Sequence, residues 1–441
     1  MSDNGTLKAS IKAAASRASI VPRRRLPDYA IDGLLPQIAV SPANAEETAA
    51  VLSAAASCEA AVIPWGGGTA MATGSIPRRY DVALDVTRLN RVVEHVAEDL
   101  TVVVQAGARL QELQEHLAHR GQYLPLDPPL PERATIGGIL ASNAGGPWRH
   151  AHGWPRDWLL GMRVALPDGN VIKSGGRVVK NVAGYDMGKL FTGSFGTLGV
   201  IVEAAFKVMP LPPARATAVA FFKSSGVAVR AAMALHARNL RVESLDLLSA
   251  DAANAVLVDH AKGNLWCLLA AIAGNRGAVE RTLREMAAIC TGEGAAMASL
   301  APEQAETVWQ RVRGLGLQTP DRDALTLRAF LLPSKVAPFL ESAESTARAR
   351  DLPLQIDARP ALGAVYCRTA GGERVTVLVR ELRELAGSLG GGLVVEACAT
   401  SLKSQIDVWG DSRRDAGLMA RVKDSLDARR TMSPGRFVGG L

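Results

Sequence analysis

The chain has 441 residues, of which 48% are hydrophobic and 21% charged, and it carries a net charge of +7. That length exceeds what one hydrophobic core usually serves, so two or more domains are expected. No apolar run approaches the ~18 residues of a membrane span, the basic residues lack the interleaved aromatics of a nucleic-acid interface, and Cys58, Cys267, Cys290, Cys367 and Cys398 form no C-x-x-C pair for an iron–sulfur cluster or zinc.

Residues 1–30, rich in Ala, Ser, Lys and Arg and nearly closed by Arg23, Arg24 and Arg25, read as a tail or short docking arm. Pro42 to Ala56 suits a helix with Asn44 as N-cap and acidic Glu46 and Glu47 in its first turn. AAVIPW then gives a short strand that delivers three consecutive glycines, Gly66, Gly67 and Gly68, within the loop Pro64 to Ser75. Without side chains, backbone N–H groups can turn together toward an anion such as a diphosphate, and Thr69 adds a hydroxyl donor. The loop is neither a Walker loop, which ends in Gly-Lys-Ser/Thr, nor a Gly-x-Gly-x-x-Gly word opening a helix; taken alone it also fits a plain turn. VALDV from Val82, RVVEHV from Arg91 and TVVVQAG from Thr101 read as short strands, followed by an amphipathic helix, ARLQELQEHLAHRG, closed by Gly121.

A second glycine-rich stretch runs from Ala134 to Pro147, where Gly137 and Gly138 permit close backbone approach and Ser142 and Asn143 offer polar contacts. His150 and His152 follow in a Trp- and Pro-rich loop and read as structural or solvent-facing, not catalytic. LLGMRVALPDGNVIKSGG predicts a hairpin turning at Asp168-Gly169. A third segment, Lys180 to Ile201, repeats glycine every three residues at Gly193, Gly196 and Gly199 before the strand GVIVEAAFKV. Proline-rich LPPARA from Leu211 marks a domain boundary. Beyond it, strands TAVAFF, VESLDLL, LWCLLAAIA, LTLRAFLLP, LPLQID, VYCRT and LVVEA alternate with helices near Gly226 to Arg238, Arg276 to Ile289, from Lys335 and up to Leu389. This order predicts an antiparallel sheet with helices on one face, and the short strands make the class α+β, not Rossmann. Arg241 and Arg328 are of a type that could clamp a carboxylate but are not assigned. A last helix, roughly Asp411 to Leu426, leads to Ser433-Pro434-Gly435-Arg436.

The order and spacing of the three glycine segments, the words KNVAGYD and GTLGVI, the ending SPGR and the length resemble the vanillyl-alcohol oxidase family with its PCMH-type FAD-binding domain. Within that family the resemblance is to FAD-binding subunits of the glycolate oxidase type. It implies a two-subdomain PCMH-type FAD-binding domain over 31–212, an α+β cap or substrate domain with an antiparallel sheet over 213–410, and a helix and tail at 411–441 that return to the FAD domain, after the 1–30 tail. It implies FAD held by Trp65, Gly66, Gly67, Gly68, Thr69 and Ala70, by Thr135, Gly137, Gly138, Ser142, Asn143 and Gly145, and by Gly193, Gly196, Gly199, Val200 and Ile201. Lys180, Asn181, Tyr185 and Asp186 match the family word, with loop support as plausible a role as flavin contact.

Tethered members of the family place a histidine or cysteine beside the flavin ring, often in the first loop; Pro64 to Ser75 contains neither, which points to non-covalent FAD. Hydroxy-acid dehydrogenases of the wider family carry a metal-binding EHG word where this chain has Glu396 followed by Ala397, so no metal site is expected. The implied activity is oxidation of a small 2-hydroxy acid, glycolate or lactate, with electrons passing through flavin to partners, namely a second FAD-containing catalytic subunit and an iron–sulfur subunit. The implied location is the cytoplasm, with membrane contact only through those partners. A stand-alone FAD oxidase or dehydrogenase of another alcohol, and a structural subunit without turnover, are the alternatives. No catalytic residue is assigned.

Overall fold

The computed structural model describes residues 4–176, 186–258, 263–317, 324–372, 374–410 and 415–441. Contacts divide the chain into two compact units, one of Met1–Gly145, Trp154–Leu211 and Asp411–Leu441, the other of Gly146–Gly153 and Pro212–Gly410. The KNVAGYD residues Lys180, Asn181 and Tyr185 lie outside the described residues, as does the start of the helix expected from Asp411.

Where a tail is expected, residues Asn4–Ala14 form helix α1. Its Leu7 and Ile11 are buried in a core shared with α2 (Ala45–Ser57), because an i, i+4 apolar pair gives an otherwise polar, Ala- and Lys-containing helix one face to dock. Strand β1 (Ser19–Ile20) then pairs antiparallel with β2 (Ile38–Ser41). The Asn44 side chain caps α2 by accepting from Glu47 N at 2.8 Å. Strands β3 (Val62–Trp65) and β4 (Val82–Asp85) complete a sheet of order β1-β2-β4-β3 in which β2, β4 and β3 run parallel.

Next come β5 (Val92–Val96), β6 (Thr101–Gln105), helix α3 (Leu110–Ala118), β7 (Gln122–Tyr123) and α4 (Ile136–Ser142). The short turns α5 (Arg149–His152) and α6 (Pro155–Trp158) precede β8 (Leu159–Ala165), β9 (Val171–Gly175), α7 (Met187–Phe191), β10 (Val200–Lys207) and β11 (Met209–Pro210). A second, antiparallel sheet has the order β5-β6-β10-β8-β9. Gly169, at φ +92°, turns the β8–β9 hairpin. Leucines of α3 and α4 pack with β6, β8 and β10 in one core.

The second unit is built on β12 (Ala214–Phe222), α8 (Ser225–Ala237), β13 (Val242–Leu248), α9 (Ala250–Val256), β14 (Trp266–Gly274), α10 (Arg276–Gly292), β15 (Met297–Leu300) and α11 (Pro302–Arg313). It continues through β16 (Leu325–Phe330), α12 (Val336–Arg348), β17 (Gln355–Arg359), β18 (Ala364–Thr369), α13 (Val375–Ser388), β19 (Gly392–Ala397) and α14 (Thr400–Lys403). All eight strands form one antiparallel sheet of order β15-β12-β14-β13-β17-β18-β16-β19. Helix α15 (Ala416–Leu426) belongs to the first unit.

Helices cover both faces of this sheet, a correction to the one-face expectation. α8, α10, α12 and α13 bury one face, while α9 and α11 cover part of the other through Val256, Val308, Trp309 and Val312. The reason is legible in β14: Leu268 and Ala270 enter the first core, Cys267 and Leu269 the second, so this uninterrupted apolar run needs cover on both sides.

Candidate functional site

The first glycine segment leaves β3 at Trp65, whose indole meets the Tyr29 ring edge-on with centroids 5.2 Å apart. Tyr29 in turn donates to Asp85 at 2.6 Å, and burial followed by this bond pushes the phenol well above its ordinary pKa. Gly68 turns back over Trp65 at φ +72°, where a Cβ would lie 3.2 Å from the indole. A Cβ on Gly67 would run into the Arg133 carbonyl, and one on Gly66 into the Thr135 hydroxyl. The loop therefore lies directly against the second glycine segment.

That second segment is organised by α4. Thr135 caps it, accepting from Gly138 N at 3.3 Å, and Gly137 N donates to Ala106 O at 2.7 Å. The Ser142 hydroxyl donates to Gly138 O at 2.7 Å, and Asn143 ends the helix in the left-handed region at φ 49°. The third segment hangs on the last turn of α4: Gly193 N donates to Leu140 O and Phe195 N to Ala141 O, at 2.9 and 2.8 Å. Gly196, at φ +67°, brings it against the first, where a Cβ would sit 2.9 Å from Pro64.

These three segments line a partly open cleft. Trp65, Gly66, Gly67, Gly68, Thr69, Ala70, Gly137, Gly138, Ser142, Gly196, Gly199, Val200 and Ile201 line it. Thr135, Asn143, Gly145 and Gly193 are not among its lining residues; for Thr135 and Gly193 the contacts above are those of loop and helix geometry. Arg436, the last residue of the SPGR word, also lines the cleft and is not among the residues that the sequence reading assigns to it. Ile63, Pro64, Met71, Val86, Ala141 and Phe195 supply the rest of the wall. The lining suits an extended dinucleotide: the glycines of the first loop offer backbone N–H groups without steric bulk, and Val200 and Ile201 stand where β10 begins. No histidine or cysteine is among the described residues that line it.

The second unit carries a separate polar region. Leu248 pairs with Asp357, Asp357 with Tyr366 and Tyr366 with Arg328, so these residues share the sheet face on which α9 and α11 pack farther along. Arg359 Nε donates to Asp246 at 2.8 Å, while Arg359 and Arg368 approach Asp357 only to 3.6 and 3.8 Å. Burial works against the Arg359 charge, but Asp246 and Asp357 outweigh it and hold the guanidinium protonated. Arg328 pairs with Glu396 at 3.1 Å, which places both residues singled out in the sequence in one ion pair; Arg241 is exposed. Arg149, from α5, reaches Tyr366 OH at 3.5 Å, and burial, with Arg359 and Arg328 nearby, lowers its pKa to about 10. His152 Nε2 lies 3.2 Å from Glu243. Burial takes His150 down to about 4, helped by His236. Both histidines thus sit in packed surroundings of the second unit, on the structural side of the sequence reading. Among the described residues, no group of three or more His, Cys, Asp or Glu could hold a metal ion.

A glycine-lined cleft in one unit and an antiparallel sheet with an arginine-rich face in the other make up a two-domain α+β architecture. The comparisons agree: residues 36–175 match the FAD binding domain family and residues 211–437 the C-terminal domain of the FAD linked oxidases. The chain belongs to the FAD-linked oxidase family and is an FAD-dependent oxidoreductase. It is 27% identical over 426 residues to glycolate oxidase subunit GlcD of Bacillus subtilis, covering 91% of this chain and 89% of that protein. To glycolate oxidase subunit GlcE of Escherichia coli it is 40% identical over 132 residues, covering 30% of this chain and 38% of that protein. Its fold matches p-cresol methylhydroxylase with substrate bound at a TM-score of 0.79 and 16% identity, over 98% of this chain and 96% of the other. No helix among the described residues is long and apolar enough to cross a membrane.

Proposed function

We propose that this protein is a non-covalent FAD subunit of a glycolate-oxidase-type enzyme, oxidising the CH–OH group of a small 2-hydroxy acid, glycolate or lactate, to the 2-oxo acid. The observation that carries the reading is the convergence of three glycine segments, far apart in sequence, on one cleft. Bound there, FAD supplies a two-electron acceptor for the hydride that leaves the α-carbon. The chain's own contribution is to hold the dinucleotide through backbone N–H groups of 66–70, to let it lie close against the side-chain-free backbone of Gly137 and Gly138, and to keep the cleft free of side chains that could attach to the ring. The arginine-rich face of the second unit suits a carboxylate: Arg328 is a third exposed, stays charged beside Glu396, and could pair with an acid by a forked contact. The likeness to glycolate oxidase subunits supports electron transfer to partners, a second FAD-containing catalytic subunit and an iron–sulfur subunit.

The test is anaerobic mixing of the FAD-loaded chain with glycolate or lactate, alone and with partner subunits, while flavin absorbance is followed. Bleaching by a 2-hydroxy acid supports the reading. Bleaching by another alcohol, with both acids inert, replaces it with a stand-alone alcohol oxidase; a flavin that no donor reduces in either setting replaces it with a structural subunit.

A further inference from the structure

Within the first glycine loop, Thr73 N donates to Ala70 O at 3.1 Å. A glycine-rich loop loses more conformational entropy on ordering than any other, so its shape has to come from outside. The supply comes from the end of the chain. Val62 N donates to Thr431 O and Ser433 N to Val62 O, both at 2.8 Å, which lays the terminal segment beside β3 just before the loop. Ser75 N donates to Arg436 O and Arg78 N to Pro434 O, closing the far end of the loop. Between these anchors the Arg436 guanidinium donates from Nη2 to Met71 O, at 2.9 Å, and to Thr73 O.

The same segment grips the third glycine stretch. Ser433 Oγ donates to Gly196 O at 3.2 Å, with Ser433 held at φ 45°, a conformation a non-glycine residue adopts only when its surroundings impose it. Buried Lys423 donates to Thr197 O at 2.6 Å and to Met432 O at 2.8 Å, and its charge is met by Asp427 at 2.6 Å. Asp427 in turn accepts from Thr431 N and Met432 N at 3.0 and 2.8 Å. Residues 423–436 thus join two glycine segments that are more than a hundred positions apart in the chain.

We propose that the C-terminal segment is a clasp that sets the shape of the flavin cradle, and that Arg436 is its positioning residue for FAD. The proposal rests on the cleft being the FAD site. Two effects combine in Arg436. By engaging two loop carbonyls it fixes the return limb of the loop and offsets oxygen dipoles that would repel an anionic diphosphate. As a residue of the cleft wall it also brings a positive charge to a lining otherwise of glycines, apolar residues, Thr69 and Ser142. Burial lowers the Arg436 pKa, opposed by Asp32 and Tyr80, so a buried cation is maintained there at a cost that an anionic cofactor would offset.

The experiment measures FAD affinity by quenching of flavin fluorescence, and the melting temperature with and without FAD, for the apo full-length chain and for Arg436→Met and Arg436→Lys. Lysine keeps the charge but has a shorter reach and lacks the planar guanidinium. The expected result is at least a tenfold loss of affinity in R436M, partial recovery in R436K, and an FAD-induced rise in melting temperature that shrinks in the same order. Wild-type FAD affinity in R436M, or a lower apo melting temperature with unchanged affinity in either variant, overturns the clasp and leaves the FAD reading standing. A wild-type chain that binds no FAD overturns both. Should R436M fail to fold, R436K alone decides between reduced and unchanged affinity.

Discussion

Gly67 lies so close to the second glycine segment that one methyl group is a sufficient test of the cleft. A Cβ there runs into the Arg133 carbonyl, which is backbone and cannot swing aside, so Gly67→Ala has to displace the loop. The expected outcome is at least a tenfold weaker FAD affinity in a fluorescence titration; unchanged affinity would show that the loop does not set the site. His150 gives a pH signature in the other unit. Its folded pKa is about 4 against an ordinary 6.5, lowered by burial and then by His236, so between those values the unfolded chain binds the extra proton. Stability from this group is complete above pH 6.5 and falls by up to about 3 kcal/mol as the pH drops to 4. His150→Gln should flatten that limb of the stability–pH curve; a curve of the same slope would contradict the assignment.

At the scale of elements, α1 shows why composition can mislead. An Ala-, Ser- and Lys-rich stretch resembles a tail, yet its two apolar residues at i and i+4 are fully packed. Burying each contributes roughly 1.5–3 kcal/mol, so Leu7→Ala with Ile11→Ala should lower the melting temperature of the chain by several degrees; an unchanged value would mean that α1 is dispensable. The elements that sequence anticipates best are those written locally: the Asn44 cap, the Asp168-Gly169 hairpin, and the strand that delivers the first glycine segment. Helices α9 and α11, by contrast, are not among those the sequence predicts, though the apolar continuity of β14 signals that something must cover its second face. A sheet's need for cover is visible in a strand; the identity of the cover is set by contacts between distant segments.

For the whole molecule the same division holds. Three glycine segments with recognisable spacing make the cleft legible, because close backbone approach leaves glycine as its record in the sequence. The contribution of Arg436 is not written that way: its bonds to Met71 and Thr73 span more than 360 positions, and nothing local distinguishes it from a surface arginine. The short segment Gly146–Gly153 likewise joins the second unit although its sequence neighbours on both sides belong to the first. The arginine face, spread over β16, β17, β18 and α5, has its order fixed by strand pairing alone.

The measurement that tests the central claim most directly is the visible absorption spectrum of the purified chain after incubation with FAD and removal of excess, repeated on the supernatant after acid precipitation. The account predicts flavin bands on the native protein that move entirely into the supernatant, as befits FAD held by a glycine backbone without a tethering side chain. A protein that stays colourless, or a flavin that remains with the precipitate, would contradict it.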